Sequence, residues 1–252
     1  LIEEACRLFG LDNVKPGRPT AVLGGDRCDD TYYPLQEVRE QLMGLGLTET
    51  MTYSLVSEAD ALKGSTFTAE NLVRLSNPLS QELACLRPGL AYSLLQTAEH
   101  NVSRNTYDLA YFELGRVVVK ADGYPEEGWQ IAIGLTGAEL GHPQGSKHAR
   151  TTDFYDMKGI LEGLLETRRL AGAECRPCEH PAFRKGRCAE YVFDGKQVIV
   201  FGEMAPALTR GIRLKTPIFG ALVEFDWLRQ VKTPVVKFRP LPQFPATTRD
   251  IT

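Results

Sequence analysis

The sequence predicts an α+β fold: an antiparallel β-sheet with helices packed on one face. Three observations carry this. Residues 189–204, "AEYVFDGKQVIVFGEM", place two strand-like runs around Asp194-Gly195, the dipeptide of a two-residue hairpin turn. Residues 128–139, "GWQIAIGLTGAE", alternate Ile131, Ile133 and Leu135 on one side of an extended chain. Residues 151–170, "TTDFYDMKGILEGLLETRRL", instead repeat apolar residues at helical spacing. Hairpin-connected strands mixed with helices argue against a purely parallel sheet.

The elements follow in order. Residues 1–10 favour a helix, with Gly10 as its terminator. "VKPGRP" is a connector, and "GGDRCDD", 24–30, is loop chemistry. Pro34 suits the first position of a helix, because its missing N–H is not needed there. Leu35, Val38, Leu42 and Leu45 then form one apolar stripe. "TETMTYSLVS", 48–57, is rich in Thr, Tyr and Val and predicts a strand. "LSNPLSQELACLRPGL" predicts a loop with a short extended piece, and a helix follows from about Leu90 to Val102. "DLAYFELGRVVV", 108–119, is a strand with a carboxylate, Glu113, in its apolar run. In the 151–170 helix, Asp153 is the N-cap and Asp156 sits in the first turn. Met157, Ile160, Leu161, Leu164 and Leu165 make its buried stripe. "APALTRGI" predicts a short helix and "PIFGALVEFDW" a last strand. Pro234, Pro240, Pro242 and Pro245 mark an extended linker.

Composition narrows the function classes. The 252 residues are 43% hydrophobic and 24% charged, as in ordinary soluble domains. A net charge of -3 and no long Lys/Arg run argue against nucleic-acid binding by bulk charge alone. No apolar run approaches a membrane span and no signal peptide opens the sequence. The six scattered cysteines suit reduced thiols in the cytoplasm. The absence of an initiator Met, and the start of a new strand in "FPATTRDIT", predict a piece of a longer chain.

Several candidate chemistries are weighed against plainer readings. Cys175-x-x-Cys178, with His180 and Cys188 nearby, has zinc-ligand spacing; the plain alternative is a solvated loop before a strand. His100, His142, His148 and His180 lie in no nucleophile motif, and no phosphate-loop or dinucleotide pattern occurs. Asp26, Asp29 and Asp30 lack calcium-loop spacing. Glu113 requires either a buried cation or a cleft, and Arg116 is a candidate partner if the strand bends at Gly115.

Residues 77–118, "NPLSQELACLRPGLAYSLLQTAEHNVSRNTYDLAYFELGRVV", strongly resemble the core of the bacterial phenylalanine–tRNA ligase beta-subunit family. "DFYDMKGILEGLL" and "GRCAEYVFDGKQVIVFGEMAP" resemble later segments of that core. "LIEEACRLFGLDNV" is similar to the end of the preceding domain, and "LPQFPATTRDIT" to the start of a ferredoxin-like anticodon-binding domain. The resemblance implies a class II aminoacyl-tRNA synthetase-like antiparallel sheet flanked by helices. It implies four parts: 1–15, the end of the preceding domain; 16–33, a connector; 34–233, the catalytic-like core; and 234–252, a linker and the start of the next domain.

The same resemblance implies partners and chemistry. These are an alpha subunit that carries the active site, a heterotetramer of two alpha and two beta chains, tRNA(Phe), and ATP with magnesium for the holoenzyme. The family's editing site lies in domains upstream. Catalytic class II enzymes set an Arg two residues before a Glu in the second-motif strand; here Tyr111 precedes Glu113. Their third motif is Gly-rich and ends in Arg; "FGALVEFDWLRQ" offers only Arg229. Each missing donor removes about 3 kcal/mol of electrostatic stabilisation. The resemblance therefore implies a core without chemistry, in which Glu113 is structural. It also implies a magnesium ion shared with the alpha chain, held by an Asp-x-x-Glu-Glu arrangement of which Glu3 and Glu4 are the pair; the Asp would fall before residue 1, so the site is expected to be incomplete here. The helix 35–47 and strand 50–57 correspond to the unit that builds the family's subunit interface. Two rival readings are an independent class II-like ligase and a zinc-dependent binding module.

Overall fold

The computed structural model describes residues 1–15, 17, 31–141, 149–170, 172–231, 235 and 238. The "GGDRCDD" loop, His142, His148 and the proline-marked linker at 234–245 lie outside them, save for the isolated residues 235 and 238. The elements are α1 (Ile2–Phe9), α2 (Tyr32–Gly44), β1 (Thr48–Glu49), β2 (Leu55–Val56), α3 (Glu58–Ala61), β3 (Cys85–Leu86) and α4 (Ala91–Val102). Then come β4 (Leu109–Ala121), β5 (Tyr124–Thr136), α5 (Phe154–Thr167), β6 (Glu174–Pro177), β7 (Phe183–Phe193), β8 (Lys196–Met204), α6 (Pro206–Thr209), β9 (Phe219–Glu224) and α7 (Phe225–Gln230).

Seven strands form one sheet in the order β1-β4-β5-β9-β8-β7-β6. Every pairing is antiparallel except the short parallel contact of β1 with β4. The hairpin at Asp194-Gly195 forms as predicted, with both φ angles positive at 50° and 79°. A second hairpin of the same kind joins β4 to β5 through Asp122-Gly123.

Strand alternation gives the central sheet two buried faces. Ile131, Ile133, Leu135, Phe112, Ala221 and Val223 pack with α2 and α5 in one core. Ala132, Tyr111, Leu222 and Val200 pack with Leu90, just before α4, and with Leu94, Leu95 and Ala98 of α4 in another. Helices therefore cover both faces, which corrects the one-sided expectation. The stripe on α2 meets this chain's own core through Leu35, Val38 and Leu42.

The predicted strand at 48–57 is corrected to two two-residue strands, separated by an extended stretch. Met51 and Tyr53 in that stretch are 92% and 79% exposed, so alternation there has no second layer to pair with. The α2 helix starts at Tyr32, two residues before Pro34. The last strand ends at Glu224, and Phe225 opens α7.

The cap of α5 is as the sequence predicts. Asp153 accepts from the N–H groups of Tyr155 (2.7 Å) and Asp156, while the Asp156 carboxylate accepts from Asp153 N–H. Arg150 also donates to Asp156, and this bond holds its carboxyl below the ordinary range. Asp156 thus contributes stability that is present above the unfolded Asp value of about 3.9 and is lost as pH falls through the lower folded value. Asp153→Ala is expected to lower stability by about 1 kcal/mol. The check is a lower urea midpoint at unchanged slope, and an unchanged midpoint would show that the cap is dispensable.

Candidate functional site

Along β4, Tyr111 and Glu113 point to the face under α4, while Phe112 and Leu114 point to the other core. Tyr111 and Glu113 occupy the Arg and Glu positions that the family resemblance assigns to the second motif. The α4 face is therefore the face to test for a retained active site.

Glu113 is 2% exposed and is paired with Arg87, not Arg116. The Arg87 Nη1–Glu113 Oε1 distance is 2.7 Å, and both side chains are buried. Thr52 donates its N–H (3.2 Å) and its hydroxyl (2.9 Å) to the same carboxylate. Arg87 also donates to Thr52 Oγ1, Ser93 Oγ and the Arg116 carbonyl. The pair thus ties β4 to the 50–54 stretch and to the first turn of α4. Arg116 lies three residues along the strand from Glu113, hence on the opposite face, where it meets Glu127 at 2.6 Å and the Trp129 ring.

Over Tyr111 the rest of the face is closely packed, and a small hollow of about 50 Å³ lined by Ala91, Gln130 and Leu222 remains beyond it. The Tyr111 phenol donates to the Leu94 carbonyl at 2.6 Å, and burial pushes its pKa up. The Leu90 N–H donates to Gln130 Oε1 at 2.8 Å, which fixes the start of α4 on β5. Two glycines make the close packing feasible. A Cβ on Gly134 would lie 2.4 Å from the Tyr111 ring, and one on Gly115 would lie 2.3 Å from the Arg87 guanidinium. Arg229, the candidate third-motif arginine, is held by Asp226 at 2.7 Å, and Asp226 also accepts from Trp129 N–H.

The Cys175–Cys178 pair does not gather a ligand set. Cys178 Sγ lies 3.2 Å from Cys188 Sγ, and the backbones of the two residues are hydrogen-bonded. Cys175 is exposed on edge strand β6. His180 accepts from Ala182 N–H through Nδ1. Burial raises the thiol pKa of Cys178 and Cys188. Among the described residues no three His, Cys, Asp or Glu side chains are grouped to hold a metal. His100 is exposed on α4.

Glu3 and Glu4 stand on α1, which buries none of its residues. Glu4 is paired with Arg7 at 2.8 Å. Two neighbouring exposed carboxylates, one already neutralised, do not by themselves make a magnesium site. Arg87 is the site residue that the sequence reading missed. Its signal was the mirror of Glu113: a charged residue in the otherwise apolar run "ACLRPGLA".

Removing one partner of a buried ion pair leaves a charge without compensation, at a cost of about 3–5 kcal/mol. Arg87→Met is expected to lose that much in urea unfolding, and the double variant Arg87→Met/Glu113→Leu to recover most of it. Additive losses would show that the two side chains do not act as a pair.

The comparisons with known proteins agree with this geometry. The family model described as "Phenylalanyl tRNA synthetase beta chain CLM domain" matches residues 18–227. Curated relatives include the phenylalanine–tRNA ligase beta subunits of Geobacillus kaustophilus, 34% identical, and Hahella chejuensis, 31% identical. Each match covers 100% of this chain and 31% of the relative, so the chain spans about a third of their length. Among solved structures, two of pyrrolysyl-tRNA synthetase from Desulfitobacterium hafniense share the fold, at TM-scores of 0.55 and 0.56. They are 14% and 15% identical, and the match covers 77% of this chain and 67% of each of those chains. With its class II-like sheet and its match to the family model over most of its length, the chain belongs to the phenylalanyl-tRNA synthetase beta chain family, as its CLM domain.

Proposed function

We propose that this chain is a non-catalytic core module of a phenylalanine–tRNA ligase beta subunit. It supports an alpha catalytic subunit and the charging of tRNA(Phe), in a heterotetrameric cytoplasmic enzyme that uses ATP and magnesium. The observation that carries the reading is the filled α4 face: Tyr111 stands at the arginine position, and Leu90, Leu94 and the Arg87–Glu113 pair occupy the space above β4 and β5. A triphosphate needs positioned donors at its reacting phosphorus. Among the described residues, the guanidinium buried on this face, that of Arg87, is already committed to Glu113.

The domain boundaries 1–15, 16–33, 34–233 and 234–252 belong to this proposal. So does the interface role of the motif-one-like unit, supported by the exposed Met51 and Tyr53 beside the buried α2 stripe. In this reading any magnesium role of Glu3 and Glu4 requires further carboxylates from outside the chain. Among the described residues no helix is long and apolar enough to cross a membrane. Among the described residues the zinc-module reading finds no ligand set, and the two candidate arginines of the independent-ligase reading, Arg87 and Arg229, are each paired with a carboxylate.

The test combines two measurements. ATP–pyrophosphate exchange with phenylalanine is expected at background for this chain alone. Exchange in the full-length beta chain assembled with its alpha chain is expected to be unchanged within about twofold by Tyr111→Phe, because the phenol serves packing and not transition-state binding. Exchange by the isolated chain above background, or failure of the full-length beta chain to co-purify with alpha, would overturn the proposal.

A further inference from the structure

We propose that the bulge Arg184-Lys185-Gly186-Arg187 is a phosphate-binding site for an RNA backbone. The pairing of β7 with β8 is in register at Phe183↔Met204 and resumes at Cys188↔Gly202. Four residues of β7 therefore stand opposite Glu203 alone, and three of them are cationic. The bulge closes because position 202 has no side chain: a Cβ there would lie 2.2 Å from the Arg187 carbonyl oxygen. Its turn at Gly186 uses a φ of 76°.

The charge arrangement is more than a buried carboxylate needs. The Glu203 side chain is 6% exposed and receives Arg184 at 2.8 Å and Arg187 at 2.7 Å. Burial alone would raise its pKa, but the two arginine hydrogen bonds outweigh burial and keep it ionised. Its single negative charge balances one of the two arginines, so the trio carries a net charge of +1. Each guanidinium carries five N–H donors. Each gives one nitrogen, Nη1, to Glu203 and makes no other hydrogen bond among the described residues. The two arginine side chains are 47% and 59% exposed, so their remaining donors face solvent. Two planar forks held by one buried anchor match the oxygens of a phosphodiester, and less of their rotamer freedom remains to be lost on binding.

Lys185, 85% exposed, adds a third charge. Its nearest carboxylate is Glu179 at 3.3 Å, and a pair this exposed binds weakly. A hollow of about 300 Å³ opens beside the bulge, lined by Glu179, His180, Phe183, Arg184 and Lys185. Burial lowers the pKa of His180, which therefore adds no charge near neutrality. The chain as a whole is at -3, so this cationic edge is local. The bulge exposes no large apolar side chain, which favours a polyanion over a protein partner. RNA as that polyanion rests on the function proposed above.

The experiment uses the full-length beta chain assembled with its alpha chain and a fluorescently labelled tRNA(Phe) transcript. Binding is read by anisotropy between about 50 and 200 mM salt. Lys185→Glu is expected to weaken binding about fivefold or more at the low-salt end. Arg184→Gln/Arg187→Gln/Glu203→Gln, which removes the charges without orphaning Glu203, is expected to reduce the salt slope by about 1.4–1.8. A labelled RNA of unrelated sequence is expected to respond equally. Both variants must retain the wild-type melting temperature. If the triple variant does not, Lys185→Glu alone decides. Wild-type affinity and slope in the folded variants would overturn the inference, as would a loss confined to alpha-chain association. If the wild-type assembly fails to charge tRNA, the proposed function fails instead, and the RNA-binding comparison still decides the role of the bulge.

Discussion

The ion pair between Arg87 and Glu113 is the constraint around which the core is arranged. A carboxylate buried to 2% exposure in a central strand needs a cation and further donors. The chain supplies them from two separate segments, Arg87 before α4 and Thr52 in the 50–54 stretch, and Ser93 in the first turn of α4 accepts from both. Their convergence draws α4 down onto β4 and β5. Leu90, Leu94 and Ala98 then complete a second apolar layer on a sheet that already has one on its other face.

The filled face follows from that descent. Gly134 and Gly115 leave space where other residues would carry a Cβ, and the Tyr111 ring and the Arg87 guanidinium take it. Tyr111 closes the layer with a hydrogen bond to Leu94. Each fully buried leucine contributes about 1.5–3 kcal/mol of apolar burial. A ligand entering here would have to displace that layer and break the ion pair beneath it. A polar pocket that binds nucleotide needs the opposite: open volume and uncommitted guanidiniums. The same sheet thus serves as a rigid scaffold, and the exposed Met51–Tyr53 stretch and the cationic β7 bulge lie at its margins.

Much of this was legible in the sequence, for identifiable reasons. The α5 helix was, because Asp153, Asp156 and five apolar residues all report one period. The Asp194-Gly195 hairpin was, because both flanking strands are apolar. The equivalent turn at Asp122-Gly123 was not identified, since "YPEEG" after it is solvated and lacks alternation. The 48–57 strand failed for a related reason: only Thr48–Glu49 and Leu55–Val56 pair with other strands, while Met51 and Tyr53 between them are exposed and join no ladder. For the candidate site, the need of Glu113 for a cation was legible from its apolar neighbours. Arg87 was not, because 26 residues separate it from Glu113 and only the fold brings the two together.

The central claim is that this face holds no nucleotide. It is tested most directly by equilibrium titration of the alpha–beta assembly with ATP and magnesium. One nucleotide bound per alpha–beta pair is the result that the filled face predicts. Two per pair, with the second lost on Glu113→Gln, would contradict it.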